Sequence, residues 1–315
     1  MSRIVLFAGG VGGAKAALGL YLSRHASQLT IVGNVGDDEA FHGLWVSPDM
    51  DTLTYTLAGK INRQQGWGLE GDSQVVLNQL KALGCDTWMQ LGDLDFATHI
   101  FRSQQKALGK NATQIALTLA QQLGVKVPLL PVTNHILQTK LRSSEGWLSF
   151  QDYFVRQRCA PEIIDIRYQG CEQARVTNEV LSAVEQADII LFAPSNPLLS
   201  IAPMLSIKNL QRALKQSHAY KLAISPLIGG KTVKGPADRL MLSMGYSAGN
   251  EGIGEFYQHY ADGLVIHQQD QQDSPLLRNM GLDIFSTNTL MQTDAEKSQL
   301  MELIVGLAQQ QGSLA

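Results

Sequence analysis

Cysteine is scarce in this chain, and the little there is cannot build a scaffold. Cys85, Cys159 and Cys171 are odd in number, widely spaced and without a CxxC pair, which excludes a disulfide framework and a zinc ribbon. That usage fits a reducing cytoplasm. Long apolar runs are missing as well: no stretch approaches the roughly 18 residues needed to span a bilayer. The N-terminus starts as a signal peptide does, with Arg3 ahead of apolar residues, but glycines and Lys15 interrupt the run. A cytoplasmic protein without a membrane partner is expected. Charge of one sign is lacking too. A net charge of −3 with both signs interspersed leaves no basic stripe, which argues against nucleic acid as a partner. There is no internal repeat or low-complexity tract, and the polar run Gln268–Asp273 reads as a solvated loop.

What is present is a chain of 315 residues, 44% of them apolar, enough for one large well-buried α/β domain or two smaller ones. Short apolar runs alternate with segments of helical period, the pattern of a mostly parallel sheet covered on its faces by helices. Strands are expected at Ile4–Phe7, Leu29–Val32, Trp88–Leu91, Val125–Leu130, Ile163–Tyr168, Ile189–Phe192, Leu222–Ile224 and Leu264–Ile266. Helices are expected over Thr113–Leu123, Cys171–Gln186, Ile201–Lys215 and Asp294–Ala308. The period becomes mixed between Trp147 and Tyr168, so an inserted α/β subdomain or sheet extension is expected at about 133–170 within a single 1–315 domain.

The first strand runs into Ala8-Gly9-Gly10-Val11-Gly12-Gly13-Ala14-Lys15, four glycines in five positions. Such a loop lets backbone approach an anion while the following helix points its N–H groups at the same spot. Two familiar phosphate motifs fail: a dinucleotide fingerprint from Gly10 and Gly12 meets Lys15 where its third glycine belongs, and Ala14-Lys15-Ala16 lacks the P-loop hydroxyl. Lys15 can still meet a phosphate as a point charge. A nucleotide or sugar phosphate is the natural guest; a tight βα turn in which glycine only permits close packing is the alternative, and the acidic residues downstream weigh against it.

Ligands of open parallel sheets lie at the carboxyl ends of the strands. Five loops fall there: Ala8–Gly13, Asn34–Asp38, Gly92–Asp95, Ala193–Pro197 and Ser225–Gly230. Asp37, Asp38, Asp49, Asp51, Asp93 and Asp95 make sense beside a phosphate loop if some of them hold Mg²⁺, although each alone is as readily a turn or helix cap. Ser195 and Asn196, between two prolines, suit recognition of a base or ribose, or capping of the next helix. His99 reads as structural.

Taken together, Ala8-Gly-Gly-Val-Gly-Gly-Ala-Lys, Asn34-Val-Gly-Asp-Asp, Ser47-Pro-Asp-Met-Asp-Thr, Gly66-Trp-Gly, Leu91-Gly-Asp-Leu-Asp-Phe-Ala-Thr-His, Pro194-Ser-Asn-Pro and Ser225-Pro-Leu-Ile-Gly-Gly resemble the 2-phospho-L-lactate transferases of coenzyme F420 biosynthesis. The resemblance runs to about residue 295. It implies a Rossmann-like core with an added α/β part, usually in a homodimer. It also implies Mg²⁺-dependent transfer of a 2-phospholactyl or enolpyruvyl phosphate group. The donor is a GMP-linked diphosphate, the acceptor the ribityl hydroxyl of the deazaflavin Fo, and the products F420-0 or its dehydro form and GMP.

Carried onto this chain, the resemblance implies that Gly9, Gly10, Gly12, Gly13, Lys15, Ser195 and Asn196 hold the donor. Asp37, with Asp49 and Asp51, would hold the metal. Asp51 would also orient or deprotonate the acceptor hydroxyl. Two positions depart from the family, Gln90 and Leu94, where basic residues are usual, and both weaken the expected grip on the acceptor. The resemblance also admits a non-catalytic nucleotide-sugar-binding regulator of the same superfamily, and a hydrolase in which water replaces Fo is a third reading.

Overall fold

The computed structural model describes residues 2–232 and 235–312. Seven parallel strands form one sheet: β1 (Ile4–Ala8), β2 (Leu29–Gly33), β3 (Leu129–Pro131), β4 (Ile189–Phe192), β5 (Tyr220–Ile224), β6 (Gly263–His267) and β7 (Asp283–Thr287). Their spatial order is β3-β2-β1-β4-β5-β6-β7, with β1 paired in register to β2 on one side and β4 on the other. β1 and β4 are buried at every position, as continuous apolar runs in a doubly covered parallel sheet should be. The chain winds outward in opposite directions from these two strands. The crevice beyond their carboxyl ends is therefore the switch point at which such sheets bind ligands.

Helix α1 (Gly10–Leu22) packs against α2 (Pro48–Leu57) and against the final helix, Asp294–Gly312, while helices Asn178–Gln186 and Lys208–Gln216 pack on one another. Within residues 138–169, strands Gln138–Ser143, Gly146–Ser149 and Asp165–Gln169 form an antiparallel sheet. Its Leu141, with Tyr153 and Ile163 from the same segment, joins the main hydrophobic core.

Several elements differ from the expectation. Trp88–Leu91 forms no strand. Leu91 joins Val46, Leu77 and Phe96 in a separate small core. Val125–Leu130 shrinks to β3, and Ile163–Tyr168 contributes to the antiparallel sheet instead of the main one. Cys171–Gln186 is helical only from Asn178, where the Thr177 side chain accepts from Val180 N–H and starts the helix. Ile201–Lys215 breaks at Ser206–Ile207 into two helices. β7 is an edge strand with one buried residue, Ile284, too weakly patterned to be read from sequence.

The glycine loop shows why the two central strands end as they do. A Cβ at Gly12 would stand 2.2 Å from the Pro194 carbonyl oxygen, and one at Gly13 2.9 Å from Ser195 Oγ. By contrast, a Cβ at Gly306, inside the final helix, meets nothing within 4 Å. Gly12→Ala is expected to cost about 2 kcal/mol by overpacking against backbone that cannot yield. Gly306→Ala is expected to gain about 1 kcal/mol of helix propensity. Guanidinium unfolding of the two variants checks the contrast, which fails if both shift in one direction.

Candidate active site

At the switch point lies a cleft of about 680 Å³. One wall holds Gly9, Gly10, Gly12 and Lys15 with Ser195 and Asn196, and the floor holds Asp37, Asp49, Asp51, Asp95 and His99. Trp67, Met89, Gln90, Leu91, Phe150 and Phe154 also line the cleft. α1 begins at Gly10. Gly10 has φ +63°, a left-handed conformation that glycine alone adopts without strain.

The N–H groups at this helix start are partly committed. Gly10 N–H donates to Asp49 Oδ1 at 2.7 Å, and the fully buried Asn34 donates its Nδ2 to Asp49 Oδ2 at 2.9 Å. A carboxylate therefore sits at the positive end of α1, where an anion is favoured. Asp49 N–H in turn donates to Asp37 Oδ2 at 3.0 Å, so Asp37 ties down the first turn of α2. Asp37 Oδ1 is buried without any partner. Burial, then the nearby Asp49 and Asp38 charges, pushes the Asp37 carboxyl well above the usual range, and burial raises Asp49 to about 6. Two crowded carboxylates with an orphaned oxygen are an electrostatic deficit that a cation would relieve.

Asp51 lies apart from that pair. It stands two positions from Asp49 on α2, and residues so spaced on a helix do not face one another. Its Oδ1 accepts from Arg102 Nη2 in a buried ion pair, and its Oδ2 has no hydrogen-bond partner. Among the described residues no three His, Cys, Asp or Glu side chains converge on a metal position. The expected trio of Asp37, Asp49 and Asp51 is not brought together: Asp49 N–H meets Asp37, while Arg102 engages the Asp51 carboxylate. Arg102 belongs to α3, defined here as Asp93–Ala107. Its Nη1 donates to Trp45 O at 3.2 Å and contacts His99 Nδ1 at 3.0 Å. Burial pushes His99 down to about 4 despite Asp51, with Arg102 adding to the effect, so the ring is neutral and its Nδ1 accepts from the guanidinium.

The remaining acidic residues divide. Asp38 accepts from Trp45 Nε1 and Ser47 Oγ, and burial raises it to about 7. Gly92–Asp95, expected as a loop behind a sheet strand, is instead the start of α3. Asp93 is a cap: it accepts from Val75 and Val76 N–H at the head of helix Val75–Ala82, while Asp72 caps Leu94 and Asp95 N–H in return. Ser195 Oγ donates to Gly9 O at 2.8 Å, stitching the two loops together. Asn196 Oδ1 accepts from Leu198 and Leu199 N–H and caps the π-helical turn Pro197–Ile201. Gln90 faces the cleft, but its amide bonds Gln74 and the Thr87 carbonyl. Leu94 is 52% exposed, on the outer surface.

Arg102 is the residue that sequence reading missed. The signal was available: the buried face of α3 consists of Asp95, Phe96, His99 and Arg102, and titratable groups at helical spacing on an inward face stay buried only when paired.

The profile of 2-phospho-L-lactate transferase CofD matches residues 4–308. The chain belongs to the CofD family. It is 34% identical to the 2-phospho-L-lactate transferase of Methanococcoides burtonii, with 96% of this chain and 99% of that one covered. It is also 34% identical to the phosphoenolpyruvate transferase of Kitasatospora aureofaciens, with 98% of each covered. Membership makes it a CofD-type transferase. A solved Bacillus halodurans protein of the UPF0052 family superposes with TM-score 0.64 at 16% identity, covering 96% of this chain and 98% of that one, which shows the shared fold. No helix among the described residues is long and apolar enough to cross a membrane.

The Asp95 carboxyl is pushed up to about 6 by burial and then by Asp51. The folded state therefore holds this proton more tightly than the unfolded one. Its contribution to stability is complete below about pH 4 and is lost as pH rises through about 6. Asp95→Asn cannot ionise, so its melting temperature should gain on the wild type between about pH 5 and about pH 7.5. Thermal unfolding across that range checks this, and a constant difference contradicts it.

Proposed function

We propose that the protein transfers a phosphorylated three-carbon acid from a GMP-linked diphosphate donor to the terminal ribityl hydroxyl of Fo, forming F420-0 or its dehydro form. The observation that carries this reading is one cleft whose lining brings together a helix N-terminus, two crowded carboxylates, Asp51 and the apolar side chains of Trp67, Met89, Phe150 and Phe154. Its volume of about 680 Å³ lies in the range of small-molecule sites.

In this reading the Gly9–Gly13 backbone and Lys15 face the diphosphate, and the cleft edge at Ser195-Asn196 faces the nucleoside. Asp37 and Asp49 are the residues that would hold Mg²⁺, and the partnerless Asp37 oxygen fits that use. Bound there, the ion would neutralise charge on the bridging oxygens of the donor. A diphosphate that takes the Gly10 N–H displaces the Asp49 carboxylate from it. Asp51 accepts a hydrogen bond from the acceptor hydroxyl, whose oxygen attacks the phosphorus bearing the three-carbon acid. The bond from that phosphorus to GMP breaks, GMP leaves, and the hydroxyl proton passes to Asp51. Phosphoryl-type transfer asks a protein for little beyond such positioning and charge neutralisation. We further propose cytoplasmic action as a homodimer.

The metal assignment predicts that millimolar Mg²⁺ raises the melting temperature of the wild type. Asp37→Asn should lose that shift, and without metal it should melt no lower than the wild type, since one of two repelling carboxylates is gone. An unchanged shift in Asp37→Asn contradicts the assignment.

Function is tested by incubating purified protein with Fo, Mg²⁺ and each guanylylated donor, carrying lactyl, enolpyruvyl or glyceryl groups, followed by mass analysis. GMP release matched by a phosphodiester product is expected with at least one donor. GMP release without Fo points to the hydrolase. Absence of product with every donor, together with tight binding of a nucleotide sugar, overturns the reading in favour of the regulator.

A further inference from the structure

We infer that Arg102 is a positioning residue for transfer, fixing the Asp51 carboxylate so that a single oxygen, Oδ2, is left for the acceptor hydroxyl; this rests on the reading under Proposed function. The geometry is specific. Arg102 is 6% exposed and Asp51 likewise 6%. The guanidinium is held from three sides: the Trp45 carbonyl on the hairpin Glu39–Phe41/Leu44–Val46, His99 one turn back on α3, and Asp51 on α2. Trp45 is anchored in turn through its indole N–H on Asp38. Arg102 therefore cannot swivel without breaking contacts to its own helix and to two other elements, the hairpin and α2.

A buried ion pair is weak evidence for stability, because apolar replacements are often as stable or more so. The planar guanidinium does something an apolar pair cannot: it fixes the plane and direction of a carboxylate. With Oδ1 spent on Arg102, Oδ2 is buried and partnerless, and Asp51 is among the residues lining the cleft. His99 Nδ1 stands 3.8 Å from that oxygen, but it is already accepting from Arg102, so it has no proton to offer Asp51. The one acceptor left without a donor on Asp51 is thus reserved for a ligand O–H. Arg102 touches neither the glycine loop nor the Asp37–Asp49 pair, so its loss should spare donor binding.

The test is a double-mutant cycle on Arg102→Ala, Asp51→Asn and the pair, with Arg102→Lys as a variant that keeps the buried charge and loses the fork. GDP affinity is measured calorimetrically with Mg²⁺, and kcat and KM for Fo by product formation. Arg102→Ala and Arg102→Lys should bind GDP within about twofold of wild type, while kcat falls about 100-fold or more. In the Asp51→Asn background, Arg102→Ala should change kcat by about twofold or less. Added guanidinium ion should restore part of the activity of Arg102→Ala and none of that of the double variant. Equal costs in both backgrounds, or a wild-type kcat in Arg102→Lys, overturn the inference alone. A wild-type protein that transfers nothing overturns the underlying reading, and this inference with it. Should Arg102→Ala fail to fold, Arg102→Lys and the charge-neutral double variant still decide the matter.

Discussion

Everything at this site depends on how closely the loop after β1 can approach the loop after β4. The two strands are hydrogen-bonded neighbours at the centre of the sheet, and the chain leaves them in opposite directions, which opens a crevice. The crevice stays tight because Gly12 lies against the Pro194 carbonyl, Gly13 against Ser195, and Ser195 Oγ donates to Gly9 O. Side chains at these positions would wedge the loops apart and move the α1 N-terminus off the crevice floor. The glycines thus act first as packing residues, and the anion-facing N–H groups are a consequence of that packing. Only Gly10 also needs its left-handed backbone.

On that scaffold the protein concentrates negative charge where it costs most. Burial raises the carboxyls of Asp37, Asp38, Asp49 and Asp95 together, and they are relieved unequally. Asp38 has an indole and a hydroxyl, Asp49 an amide and a backbone N–H, and Asp51 a guanidinium. Asp37 has only a backbone N–H, and Asp37, Asp38 and Asp51 each retain one oxygen without a partner. The differences in partner sort one acidic cluster into separate roles, as neighbouring carboxylates in enzymes are commonly sorted by environment. A fold selected for stability alone would have no use for the uncompensated oxygens.

The central strands and the loops at their ends were legible because buried parallel strands leave continuous apolar runs, and because clustered glycine, proline and aspartate mark the loops. The acidic lobe was harder. Trp88–Leu91 reads as a strand by composition, yet its partners are a hairpin and a helix, and composition does not reveal which surface an apolar run will meet. Within the site, Asp37 and Asp49 come together through tertiary hydrogen bonds that no spacing rule encodes. The separation of Asp49 from Asp51 was inferable from helical geometry once Pro48 is taken as a helix start. Arg102 escaped notice because a lone arginine in a polar helix looks solvated until the inward face of that helix is identified.

The same geometry sharpens the meaning of the two departures from the family pattern. The resemblance implies basic residues where this chain has Gln90 and Leu94, and from sequence each change weakens the expected grip on the acceptor. Their surroundings differ. Leu94 stands outside the cleft on the exposed flank of α3, so a charge there would act on the acceptor only through solvent, where screening leaves it little force. Gln90 lines the cleft, and its amide is already engaged with Gln74 and Thr87. Under the proposed reading, the changed position that bears on the acceptor is therefore 90, where an uncharged amide leaves Trp67, Met89, Phe150 and Phe154 of the same cleft to meet a ring face by contact.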